Sequence, residues 1–149
     1  MHDFILQTTT LSPHQSQQIN DLWDTEYPAK LRGRFPLLLD GASQYRHYLI
    51  LDDGNVAAWA ADFYKDGELR FSIIVHPSYQ GKGLGRQLIG RLRQENGAIW
   101  GWVIDHNNDT RHDGTPYLSP LPFYLSLGCQ VVEDQRIDNA LLSAVKVRL

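Results

Sequence analysis

A chain of 149 residues is the usual size of one domain, and residues 1–149 are expected to form a single one. With 42% hydrophobic and 21% charged residues it can bury a core and stay in solution. The net charge of −3 lacks the basic excess of a nucleic-acid binder, and a lone cysteine, Cys129, excludes an internal disulfide.

Phe4 to Thr8 reads as a first strand. The opening segment has no basic region followed by an apolar run, so no signal peptide is expected. No stretch approaches the ~18 apolar residues of a membrane span, so no membrane partner is expected and a cytoplasmic location follows by default. Ser12-Pro13-His14-Gln15 then opens a helix: Ser12 can cap it, Pro13 suits its first position and Gln15 completes a capping box. Ile19, Leu22 and Trp23 give it an apolar face, and Tyr27-Pro28 ends it. Ala29 to Ala42, with Arg32, Arg34 and Phe35, is ambiguous and could hold a second, irregular helix.

His47–Leu51, Val56–Tyr64 and Leu69–Val75 are strands. The turns Asp52-Asp53-Gly54-Asn55 and Lys65-Asp66-Gly67-Glu68 join them into an antiparallel meander. After a glycine-rich loop, Leu84, Leu88, Ile89 and Leu92 mark one face of a helix that stops near Gly97. Ala98–Ile104 is a strand, and the helical link to it from Leu69–Val75 is long enough for a parallel crossover. Asp105–Ser119 is a polar loop. Ser119-Pro120 starts a short helix through Leu127 with Gly128 as its cap, and Val131–Arg136 and Leu141–Leu149 close the chain as strands. Cys129, at a strand start, is expected to be a buried structural thiol. The whole is an α/β chain: a mixed sheet with helices on it.

Gln80-Gly81-Lys82-Gly83-Leu84-Gly85 joins a strand end to a helix start. A helix N-terminus offers free amides and the positive end of the dipole. Glycines allow close approach of the backbone to a phosphate, and Lys82 and Arg86 add charge. The segment therefore reads as a diphosphate cradle. It lacks the Gly-Lys-Ser/Thr of a P-loop. The dinucleotide fingerprint needs Gly-x-Gly-x-x-Gly, but Arg86 stands where its third glycine would fall, and two hairpins precede the loop. A tight turn without a ligand is the remaining plain reading.

Val75-His76-Pro77-Ser78-Tyr79-Gln80-Gly81-Lys82-Gly83-Leu84-Gly85 resembles the cofactor motif of the GNAT superfamily, the acetyl-CoA-dependent N-acetyltransferases, whose Gln/Arg-x-x-Gly-x-Gly/Ala is met by Gln80, Gly83 and Gly85. The resemblance implies that family's fold over nearly the whole chain. That is a mixed, mostly antiparallel sheet of six to seven strands with about four helices and two splayed central parallel strands. It implies acetyl-CoA as co-substrate and no metal. Ile73, Ile74 and Val75 would pair with the pantetheine arm, and Gln80, Gly81, Lys82, Gly83, Leu84 and Gly85, with Arg86, would hold the pyrophosphate. It implies an amine of a small molecule or peptide as acceptor. His76 is common at its place in the family and is expected to be structural.

In the same resemblance Tyr124, within Phe123-Tyr124-Leu125-Ser126-Leu127-Gly128-Cys129, matches the residue that protonates the departing thiolate. A phenol is protonated at neutral pH. Tyr117 stands where the family often has an asparagine that contacts the arm. The strand before the glycine loop has no glutamate after Glu68 to act as base. Asp105 and His106, at the mouth of the next strand, are candidates to take the amine proton or to bind the amine. Acidic and aromatic groups suit a cationic amine, so Trp23, Glu26, Tyr27, Phe35, Asp109 and Asp113 are candidates for the substrate pocket. Trp100 and Trp102, on one strand face, are expected to pack rather than recognise. A catalytically weak CoA-binding sensor of the same fold and a nicotinamide-dependent oxidoreductase are the competing functions. The sequence does not name the acceptor amine, and dimerisation stays open.

Overall fold

In a computed structural model, which describes residues 4–34 and 40–149, seven strands form one sheet in the order β1-β2-β3-β4-β5-β7-β6. Strand β1 spans Leu6–Thr8, and helix α1 follows at Pro13–Glu26. The Ser12 hydroxyl accepts from the Gln15 amide at 3.1 Å, and the Gln15 side chain accepts from the Ser12 amide at 2.9 Å, so the capping box closes in both directions. Tyr27 turns extended and ends the helix before Pro28. In the stretch from Ala29 to Ala42, where a second helix could lie, the described residues hold one 3₁₀ turn, Ala29–Leu31. Three α-helices are described, against about four expected; residues 35–39, including Phe35, lie outside the described residues.

The meander is longer than its apolar cores suggested: β2 is Ser43–Asp52, β3 is Asn55–Lys65 and β4 is Glu68–Val75. Ladder bonds extend strands into the polar residues that flank a turn, which hydrophobic periodicity alone does not register. Helix α2 (Leu84–Glu95) crosses over to β5 (Trp100–Ile104), which lies parallel to β4. Helix α3 is Leu121–Ser126, and β6 (Gln130–Asp138) and β7 (Ser143–Arg148) close the sheet.

Period-two alternation divides the core between the two faces. Trp59, Ala61, Phe63 and Ile74 face α1 and pack with Ile19, Leu22 and Trp23. Ala58, Ala60, Phe71 and Val103 face the other way, against Leu84, Leu88, Ile89 and Leu92 of α2 and Tyr124 of α3. Cys129 is buried in this second cluster, and burial pushes its thiol pKa up, away from reactivity. No helix among the described residues is long and apolar enough to cross a membrane.

One pairing positions everything that follows. Strands β4 and β5 meet only where Arg70 stands opposite Trp100, and beyond that point they part. The Phe71 ring occupies this root: a Cβ added to Gly101 would stand 2.6 Å from it, so only glycine fits opposite.

Candidate active site

At the end of β4 the chain makes a 3₁₀ turn, Pro77–Tyr79, capped by His76, whose Nδ1 accepts from the Ser78 amide at 3.0 Å. His76 thus shapes the loop. Gly81 and Gly83 then take φ of +79° and +82°, the left-handed region that side chains resist. Gly83 is the N-cap of α2, and no side chain caps that end. Glycine at this cap leaves the first amides of a twelve-residue helix open to an external acceptor. Lys82 lies over the Tyr79 ring, 5.3 Å from its centroid, and the Tyr79 hydroxyl donates to Asp52. Arg86 is exposed one turn into the helix. Exposed amides and two cations fit a diphosphate.

The edge of β4 that faces β5 carries the Ile73 and Val75 carbonyls, because His76 and its strand parity are turned to β3. The Tyr27 hydroxyl donates to the Ile73 carbonyl at 3.3 Å, and the Gln80 amide donates to the Val75 carbonyl at 3.2 Å. Gln80 also reaches Glu26 Oε1 at 3.3 Å, which ties the loop to the end of α1.

Where β4 and β5 part, a cavity of about 340 Å³ passes between the two faces of the sheet. Tyr124 and Phe71 line it from the α2 side; Trp23, Tyr27, Phe63 and Trp102 line it from the α1 side. Tyr124 is 6% exposed, and burial raises its pKa well above that of an ordinary phenol. Its hydroxyl therefore stays protonated throughout the physiological range. Tyr27 is pushed up to about 12 by burial, and Tyr117, stacked 6.0 Å from Tyr27, is also raised.

The structure gathers some of the residues singled out from sequence and scatters others. Trp23, Tyr27, Ile73 and Tyr124 line the cavity. Trp23 is also core: it is 8% exposed, and its indole donates to the Leu31 carbonyl at 2.8 Å. Asp105 is outside the cavity, gripped by Arg136 at 2.8 and 3.3 Å, and the guanidinium holds its pKa below the usual carboxylate range. A carboxylate so held is a poor base. His106 is outside as well, its Nδ1 accepting from the Asn108 amide at 3.1 Å. Asp109 is paired with Lys30 at 2.9 Å, and Asp113 closes its own turn on Thr115. Glu26 serves the Gln80 loop. The expected acidic lining is thus absent among the described residues, because each carboxylate has a structural partner elsewhere.

Several lining residues escaped the sequence reading. Trp102, expected only to pack, faces the cavity with Lys146 5.7 Å from its ring. Arg34, Lys65 and Arg70 line it too. Parity was the available signal for Arg70: it stands opposite Phe63, on the face that carries Trp59 and Ile74.

A strand, a left-handed glycine loop and an uncapped helix, beside two parallel strands that part around a cavity, define a mixed-sheet protein of the acyltransferase architecture. The family model described as acetyltransferase (GNAT) domain matches residues 43–130, more than half of the chain, which therefore belongs to that family. Solved structures share the fold. An aminoglycoside 6'-N-acetyltransferase complexed with coenzyme A is similar at a TM-score of 0.68 and 16% identity, over 98% of this chain and 96% of that one. An acyl-CoA N-acyltransferase from Pseudomonas aeruginosa is similar at 0.70 and 14% identity, over 99% of both chains. The ribosomal-protein-S18-alanine N-acetyltransferase from Escherichia coli is similar at 0.61 and 18% identity, over 98% and 93%. No curated protein sequence matches the chain.

Proposed function

We propose that this protein transfers an acetyl group from acetyl-CoA to a primary amine by direct attack in a ternary complex. The observation that carries the reading is the continuity of the uncapped α2 terminus, the open edge of β4 and the cavity holding Tyr124. The amides from Gln80 to Gly85, with Lys82 and Arg86, would hold the pyrophosphate, and the Ile73–Val75 edge would pair with the pantetheine arm. An arm laid along that edge replaces the Tyr27 hydroxyl and the Gln80 amide at the two carbonyls they hold.

Acetyl-CoA supplies an acyl group activated as a thioester. The neutral amine forms a C–N bond with the acyl carbon as the C–S bond breaks, and the Tyr124 hydroxyl gives its proton to the departing sulfur. No carboxylate or histidine lines the cavity among the described residues. The acceptor ammonium accordingly gives one proton to water before attack; once the C–N bond has formed a second N–H proton leaves to water, and water returns a proton to the Tyr124 phenolate. A steady-state assay of CoA thiol release over a panel of amines tests the reading: release that depends on both acetyl-CoA and an amine supports it. Saturable acetyl-CoA binding with no turnover on any amine would favour the sensor instead.

A further inference from the structure

The chain is acidic overall, yet the charged residues in its cavity wall are all basic. Among the described residues, Arg34, Lys65 and Arg70 line the cavity and no aspartate, glutamate or histidine does. Their placement is not random. Lys65 ends β3 and Arg70 is the third residue of β4, and both share strand parity with Phe63, which packs toward α1. Arg34 follows the turn that Trp23 holds through the Leu31 carbonyl, also on the α1 side. Tyr124 reaches the cavity from the opposite face.

The two faces therefore offer different chemistry. A molecule entering from the α1 side passes cations and rings before it reaches the gap between β4 and β5. Arg70 shares its charge with Glu68 at 3.4 Å and Asp66 at 3.6 Å, but Glu68 is itself shared with the buried Lys146. Arg34 has no ion pair among the described residues. Arg34 is thus the cation at this end that these carboxylates do not hold. A polycationic amine would meet repulsion there, whereas a carboxylate would meet planar guanidinium groups suited to it.

Resting on the acetyltransferase reading, we infer that the acceptor is a small amine with an apolar body and a carboxylate of its own, as in an amino acid. Arg34, with Arg70 beside it in the cavity wall, receives the carboxylate, and the ring-lined wall holds the body. A cavity of about 340 Å³ is at the small end of ligand sites and suits such a molecule. The cations select the acceptor and align it; they take no part in bond making.

The test measures kcat/KM for the aromatic and aliphatic amino acids, for their decarboxylated amines and for the aminoglycoside kanamycin. Acetyl-CoA affinity is measured in parallel by calorimetry. The expected result is a preference of about tenfold or more for at least one amino acid over its decarboxylated partner, expressed in KM, with kanamycin poorest. In Arg34→Ala and in the charge-neutral Arg70→Gln the ratio falls toward one, while acetyl-CoA affinity persists and reports that the variants fold. Equal or better turnover of decarboxylated amines or kanamycin overturns the inference and leaves the acetyltransferase reading standing. Binding of acetyl-CoA with no binding or turnover of any amino acid overturns the inference as well. Failure to bind acetyl-CoA overturns both.

Discussion

The two ends of the cavity are built on different principles. At the α2 end the atoms proposed to hold the cofactor are backbone amides, set by glycines in the left-handed region and by the start of a helix. At the α1 end they are side chains brought together from the Leu31–Arg34 segment, the β3–β4 hairpin, β5 and the loop before α3. The first arrangement is local in sequence and intolerant of side chains. The second is assembled by tertiary contact and is open to substitution. Cofactor binding and acceptor choice should therefore fail separately.

The largest effect is expected at the α2 end. Gly83→Glu puts a carboxylate at the uncapped helix start and forces a non-glycine residue to φ of +82°, so acetyl-CoA affinity should fall by more than about 100-fold in a folded protein. Gly83→Ala, where an added Cβ meets nothing within 4 Å, pays only the backbone term of ~1 kcal/mol and should lose far less affinity. Equal losses in the two variants would show that strain, not charge, governs the site.

Tyr124→Phe comes next. It keeps the packing against Phe71 and removes the proton, so kcat should fall about 100-fold with acetyl-CoA affinity nearly unchanged. Full activity would make Tyr124 a packing residue. Because burial raises the Tyr124 pKa, its proton stays on up to alkaline pH. The rate on a given amine should thus climb as that amine loses its proton and show no alkaline fall below pH ~10. A falling limb nearer neutrality would assign the proton to another group.

The smallest effects are expected at Tyr27 and Asp105. Tyr27→Phe removes a hydroxyl that competes for the Ile73 carbonyl, and acetyl-CoA should bind about two- to fivefold tighter. Asp105→Asn should leave kcat within about twofold, since its carboxylate serves Arg136 outside the cavity. A large loss of kcat there would return Asp105 to the proton pathway.

The same contrast explains what could be read from sequence. The capping box at Ser12, the two hairpin turns and the glycine loop are set by residues a few positions apart, and each appears in the structure where its local pattern placed it. The α1 end of the cavity needed information the chain spreads over more than 100 residues. Asp109 and Asp113 looked available as binding groups, but Lys30 and Thr115 hold them. Trp102 looked like core because its strand is apolar, and only the parting of β4 from β5 exposes it to the cavity. That parting has one sequence trace, Gly101, which admits the Phe71 ring and carries no motif of its own.

The most direct test of the central claim is a calorimetric titration of the purified protein with acetyl-CoA, with NADH as control. Saturable binding of acetyl-CoA alone is the predicted result. Binding of neither, or of NADH alone, would contradict the account and leave the glycine loop as a turn or as a dinucleotide site.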